Sequence, residues 1–188
     1  MARGFGEVLF SIVDLKIAPY NILTDTVGTA VDMPEVQQLD FTPEGDTDEI
    51  KAEGYLQHLL SVMTHGTFTL SQAGIPYEAL AVMTGWTRGS SGTTPNREDT
   101  LQGTPGGAGL PYFAVAGKLV GEQSDDVHIG LVCCKLDAPP AWNIEQNVFV
   151  IGESSGKAIA PNSRQLPYIE IHETAAAIDM TTLFVAAS

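Results

Sequence analysis

Thr67-Phe68-Thr69-Leu70-Ser71 alternates polar and apolar residues with a period of two. In an extended chain successive side chains point to opposite faces, so Phe68 and Leu70 enter a core while the hydroxyls face water. The same rhythm runs through most of the sequence. Leu9, Val13, Leu15 and Ile17 fall on one face of a first strand expected to end at Pro19, and Gln37, Leu39 and Phe41 share a face within 36–41. Phe113, Val115 and Leu119 mark another strand, and 148–151 and 166–172 complete the set. Residues 127–136 are apolar on both faces, which requires cover on each side, in the centre of a sheet or at an interface.

Helical periodicity is nearly absent, with one exception. Over Pro76-Tyr77-Glu78-Ala79-Leu80-Ala81-Val82-Met83-Thr84-Gly85, residues Tyr77, Leu80, Ala81 and Thr84 recur at helical spacing. Pro76 suits the first helical position and Gly85 the position just past the end. The N-cap would then be Ile75, which offers no side-chain acceptor. A short helix over about 76–84, laid on a sheet, is expected. From 85 to 111 no pattern is visible: the stretch holds seven glycines, with Pro95 and Pro105 in its interior. A long Gly-rich loop of this kind is usually functional or disordered. Many strands, one helix and one loop within a single domain of 188 residues predict a mainly β protein, a β-sandwich or barrel.

Composition narrows the function. Nine basic against 23 acidic residues give a net charge of −14, although only 17% of residues are charged and 44% are hydrophobic. The acidity therefore reflects scarce Lys and Arg, and the apolar content excludes global disorder. A surface that grips nucleic-acid phosphates or anionic lipid needs a basic patch, which is missing here. No apolar run approaches the roughly 20 residues of a membrane span. Met1-Ala2-Arg3 precedes a short apolar run that Asp14 interrupts, unlike a secretory signal. Cys133 and Cys134 are adjacent, cannot form a disulfide framework, and on a strand point to opposite faces. A soluble protein made in the cytoplasm is expected.

Gly152-Glu153-Ser154-Ser155-Gly156 matches the G-x-S-x-G nucleophile elbow, whose serine sits on a strained turn from strand to helix. The continuation, Lys157-Ala158-Ile159-Ala160-Pro161, is too short and Pro-broken for that helix. A Gly-Ser turn joining two strands explains the motif without catalysis. The same residues fall short of a phosphate loop, which needs one more spacer and a Ser or Thr after the lysine. Glu170 and His172 share a strand face and could ligate a metal, but His58, His65 and His128 lie on other segments and no paired metal-ligand motif exists, so no metal is expected. Glu35, Asp40, Glu44, Asp46, Asp48, Glu49 and Glu53 form an acidic cluster that lacks EF-hand spacing and suits a solvated strand edge.

Three stretches together resemble the major tail tube proteins of long-tailed, non-contractile bacteriophages. They are Val13-Asp14-Leu15-Lys16-Ile17-Ala18-Pro19, the run from Pro34-Glu35-Val36 to Glu44-Gly45-Asp46, and Thr67-Phe68-Thr69-Leu70 leading through Gly74-Ile75-Pro76 into the helix. The likeness spans residues 12 to 86, and 111 to 173 as strands only. It implies a β-sandwich or barrel flanked by a helix, in subunits that form six-membered rings stacked into a hollow tube. No active site and no cofactor are implied. Partners would be copies of the chain, with tape-measure, tail terminator and tail tip proteins, in a virion tail assembled in the host cytoplasm. Genome DNA would pass through the lumen as cargo rather than ligand. An acidic wall would repel the duplex and let it slide, so Glu44, Asp46, Asp48, Glu49 and Glu53 are lumen candidates. Trp86, Arg88 and Arg97 are residue types that anchor interfaces and are inter-subunit candidates. The loop at 85–111 and a C-terminal arm at 175–188 would order on assembly. Alternatives are another virion or secretion-tube component, such as a connector, a minor tail protein or a type VI-like tube. A carbohydrate-binding β-sandwich and a Ser154 hydrolase complete the set.

Overall fold

The computed structural model describes residues 9–52, 55–74, 76–103, 109–121, 126–147, 150–161, 166–172 and 176–180. In chain order the elements are β1 (Leu9–Asn21), β2 (Thr26–Val27), β3 (Val31–Asp32), β4 (Val36–Ala52), β5 (Tyr55–Ala73), α1 (Tyr77–Thr84), β6 (Thr87–Ser91), β7 (Glu98–Gln102), β8 (Phe113–Gly121), β9 (Asp126–Leu136), β10 (Ala141–Asn143), β11 (Ile151–Ile159) and β12 (Tyr168–His172). The protein is mainly β. One antiparallel sheet runs in the order β2-β1-β8-β9-β11-β5-β4, with β3 added on β1, β10 on β11 and β12 on β9. The two ends of this path are not hydrogen-bonded to each other, so the expected barrel alternative is corrected to an open sheet.

The sheet curls over its own core. Leu15 and Ile17 of β1 share one buried cluster with Phe68 and Leu70 of β5, although three strands separate β1 from β5 along the sheet. Phe113 meets Phe68 edge to face, with ring centroids 6.0 Å apart, and Val115 and Leu131 fill the space beside them. Helix α1 closes the cluster with Ala79, Leu80 and Met83. Its buried face is Ala79, Leu80, Met83 and Thr84, one step round from the expected stripe, and Tyr77 is left exposed. Pro76 takes the N-cap itself, displacing Ile75, which lies outside the described residues. Gly85 adopts the left-handed conformation at φ 71° and donates its N–H to the Ala81 carbonyl, ending the helix as expected.

The doubly apolar strand proves central, and its second cover comes from the same chain. Along β9 the side chains from Asp126 to Leu136 are almost all buried. One face joins the main core, while Val132 and Cys133 join Ala18, Tyr20, Ala114 and Ala116 beneath Ile178 and Met180. The described part of the expected C-terminal arm, 176–180, is thus packed against the sheet before any assembly, and no ring interface is needed to cover β9. Cys133 and Cys134 fall in different clusters, both as free thiols. Burial pushes the Cys133 thiol up to about 11 and that of Cys134 well above its usual value, so both stay protonated.

Local irregularities correct the strict alternation. Ile12 pairs with Leu119 and Asp14 with Lys118, so Val13 is the extra residue of a bulge and stands 55% exposed instead of joining Leu15 and Ile17. Gln37 is extra in the same way between Val36 and Gln38, although Leu39 and Phe41 do pack on the core as expected. The first strand continues past Pro19 to Asn21. Within the stretch 85–111 expected as a loop, the described residues include β6 and β7, which form an antiparallel ribbon of their own. Every residue of β6 is exposed, so it carries no apolar alternation to betray a strand.

Gly152–Gly156 is likewise no turn but the middle of β11, buried at alternate residues. Gly156 lies where a Cβ would come within 2.2 Å of the Lys135 carbonyl oxygen on β9. Gly156→Ala is expected to cost about 1–3 kcal/mol by forcing β11 away from β9. A urea midpoint unchanged from wild type would refute that.

Candidate assembly surface

The acidic cluster rests on a projecting arm. Strand β11 covers the edge of β5 only from Gly66 to Ala73. Beyond Gly66 the ladder from Glu44↔His65 to Ala52↔Tyr55 pairs β4 and β5 only with each other among the described residues, a two-stranded ribbon about 27 Å long. Pro43, at the base, sits on the sheet's edge strand, the position in a sheet that tolerates proline best. Thr64 is the extra residue of a bulge between the Glu44 and Gly45 pairs.

Register sorts the acids onto two faces. Asp46 lies opposite Val62 and Asp48 opposite Leu60, so these four share one face by cross-strand pairing. Alternation puts Glu49 on the other face. Glu44 reaches back to His65, its carboxylate 3.1 Å from Nε2. Glu53 lies outside the described residues. The lumen candidates therefore cannot line a single wall together. Leu60 and Val62, 63% and 49% exposed, form an apolar stripe interleaved with Asp46 and Asp48, while Met63, 44% exposed, stands on the face of Glu49.

The inter-subunit candidates already have partners within the chain. Trp86 is half-buried and packs against Trp142, with centroids 6.3 Å apart, while Gly103 gives its ring room. Arg88 forms an ion pair with Glu78 at 2.8 Å and Arg97 one with Asp99 at 3.0 Å, tying the β6–β7 ribbon to α1 and to itself. Such exposed pairs contribute little to stability. The Asp99 carboxyl is held below its usual range, first by its hydrogen bond with Ser90 and then by Arg97.

Ser154 is buried on β11 and borders a 450 Å³ cleft whose lining includes Gln38, Thr69, Ser71 and Glu153 but no histidine. Mid-strand backbone gives it none of an elbow's exposure. Glu170 and His172 lie elsewhere, on β12, against residues 126–130 of β9. Sequence reading left His128 apart from them, yet the β9–β12 register sets it directly opposite Glu170. The His128 and His172 rings lie 4.6 Å apart. Burial, then the neighbouring His172, lowers the His128 pKa. Only the pairing of distant strands reveals this cluster.

Comparison of the chain with protein-family models and with curated proteins finds no match.

Proposed function

We propose that the chain is a structural assembly subunit, a tail tube protein whose copies form stacked rings around a channel for DNA. The sequence likeness over residues 12–86 suggests the family. The observation that carries the reading is the β4–β5 arm, with Leu60, Val62 and Met63 exposed beyond the edge of the sheet. An exposed two-stranded ribbon with apolar side chains is a liability in a protein that stays alone, and a docking element in one that assembles. Asp46 and Asp48 beside the stripe favour a specific docked geometry over indiscriminate aggregation, because any misplaced contact would bury their charge unpaired. The net charge of −14 per chain suits passage of DNA without adhesion. Tape-measure, terminator and tip proteins would be further partners, in keeping with the likeness.

Negative-stain microscopy of the purified protein across a range of concentrations tests the proposal. Rings, or tubes of uniform width, are the expected result. A strictly monomeric solute at every concentration, by light scattering as well as microscopy, would overturn it.

A further inference from the structure

We propose that His128, Glu170 and His172 form a binding site for a divalent transition-metal ion, with zinc the best fit. The three ligand atoms lie within 4.8 Å of one another. His172 Nε2 stands 3.4 Å from Glu170 Oε2. Two ligands of a tetrahedral zinc, each about 2.0–2.1 Å from the ion, are separated by about 3.3–3.4 Å, so this edge is already at coordination distance.

An independent observation points to a ligand. His128 is 1% exposed, and its Nε2 has no hydrogen-bond partner, nor has the buried Nε2 of His172. Two buried, unsatisfied ring nitrogens beside one carboxylate are costly, and a metal ion satisfies both. His128 also makes a hydrogen bond with the backbone of Ala176, an arrangement that holds a metal-binding imidazole in one orientation.

The surroundings suit a cation despite the nearby lysine. Lys118 lies opposite His128 on β8, but its ammonium is taken up by Asp126 at 2.6 Å and by the Ala176 carbonyl at 2.8 Å. With neutral imidazoles, Glu170 then leaves the cluster one negative charge in excess. Two nitrogens and one carboxylate favour zinc and its first-row neighbours over calcium or magnesium, which take oxygen ligands. Glu170 and His172 are part-exposed, giving the ion a way in and leaving the fourth position to water. A bound ion would clamp β12 onto β9 beside the 176–180 segment.

Zinc titration of chelator-treated full-length protein, followed by calorimetry and thermal melting, tests the site. One ion should bind per chain and raise Tm, and Co2+ in its place should show the d–d absorption of a four-coordinate site. His172→Ala and Glu170→Ala, both at part-exposed positions, should each weaken binding by about tenfold or more and erase the Tm shift. His65→Ala removes the other histidine–carboxylate pair, on the arm, and should change neither. The proposal fails if wild type takes up no zinc, if His172→Ala and Glu170→Ala bind as wild type does, or if His65→Ala abolishes binding.

Discussion

Lys118→Met should destabilise the protein by about 3–5 kcal/mol, the range expected when one partner of a buried ion pair is removed. Lys118 Nζ stands 2.6 Å from Asp126 Oδ2, and the two side chains are 17% and 3% exposed. The lysine hydrogen bond is the largest influence holding the Asp126 carboxyl below its usual range, against burial, which pushes it up. Without the ammonium, Asp126 keeps the Ala176 N–H, at 2.6 Å, as its remaining stabilising neighbour on that side. The Ala176 carbonyl loses its lysine donor as well. Both ends of that peptide are thus tied to one ion pair, and Ile178 and Met180, which cover the second core cluster, hang from it. Set against a usual total of about 5–15 kcal/mol, the loss is large. Chemical denaturation measures it. Lys118→Met combined with Asp126→Leu should recover part of the loss, because no charge is then left buried alone. A single variant within about 1 kcal/mol of wild type, or a double variant worse than the single, would contradict the account.

The regions legible in the sequence are those where one strand face is apolar and the other polar. Phe68 and Leu70 enter the core as their alternation with threonine requires, and β9 is central as its two apolar faces require. Reading failed where local pattern and burial part company. Val13 has the right spacing to be buried, but a bulge, set by pairing with β8, turns it outward. Strand β6 is exposed throughout and β7 is part-buried only at Thr100 and Leu101, so neither carries a hydrophobic period. Gly152–Gly156 reads as a turn because small residues favour turns, yet here they are small so that β11 can lie close to β9 and Trp142. The His128–Glu170–His172 cluster was illegible for a further reason: which strands pair, and in what register, is a property of the whole sheet. The acidic run was visible from the start, but its division between two faces of a ribbon needed the register of β4 against β5.

That division makes the arm separable from the fold, and its removal the sharpest test of assembly. Asp46 and Val62 face each other across the ladder, so replacing residues 47–61 by Asn-Gly would join them through a two-residue turn that matches strand twist. Everything deleted from 47–49 and 60–61 is exposed, and the pairings of β5 with β11 begin only at Gly66. None of the core residues of β4 or β5, Leu39, Phe41, Phe68 and Leu70, is touched. The shortened chain should therefore fold, with far-ultraviolet circular dichroism still dominated by strand and Tm near that of wild type. If the proposed assembly holds, it should also remain monomeric at concentrations where wild type associates, since Leu60 is gone and Asp46 and Asn-Gly crown a blunt hairpin. Val62→Asp in the full-length chain separates shape from chemistry. It keeps the ribbon but sets a third carboxylate on the face of Asp46 and Asp48, so assembly should weaken steeply and recover in part as salt screens the added repulsion. If both proteins assemble as wild type does, the arm is not the docking element.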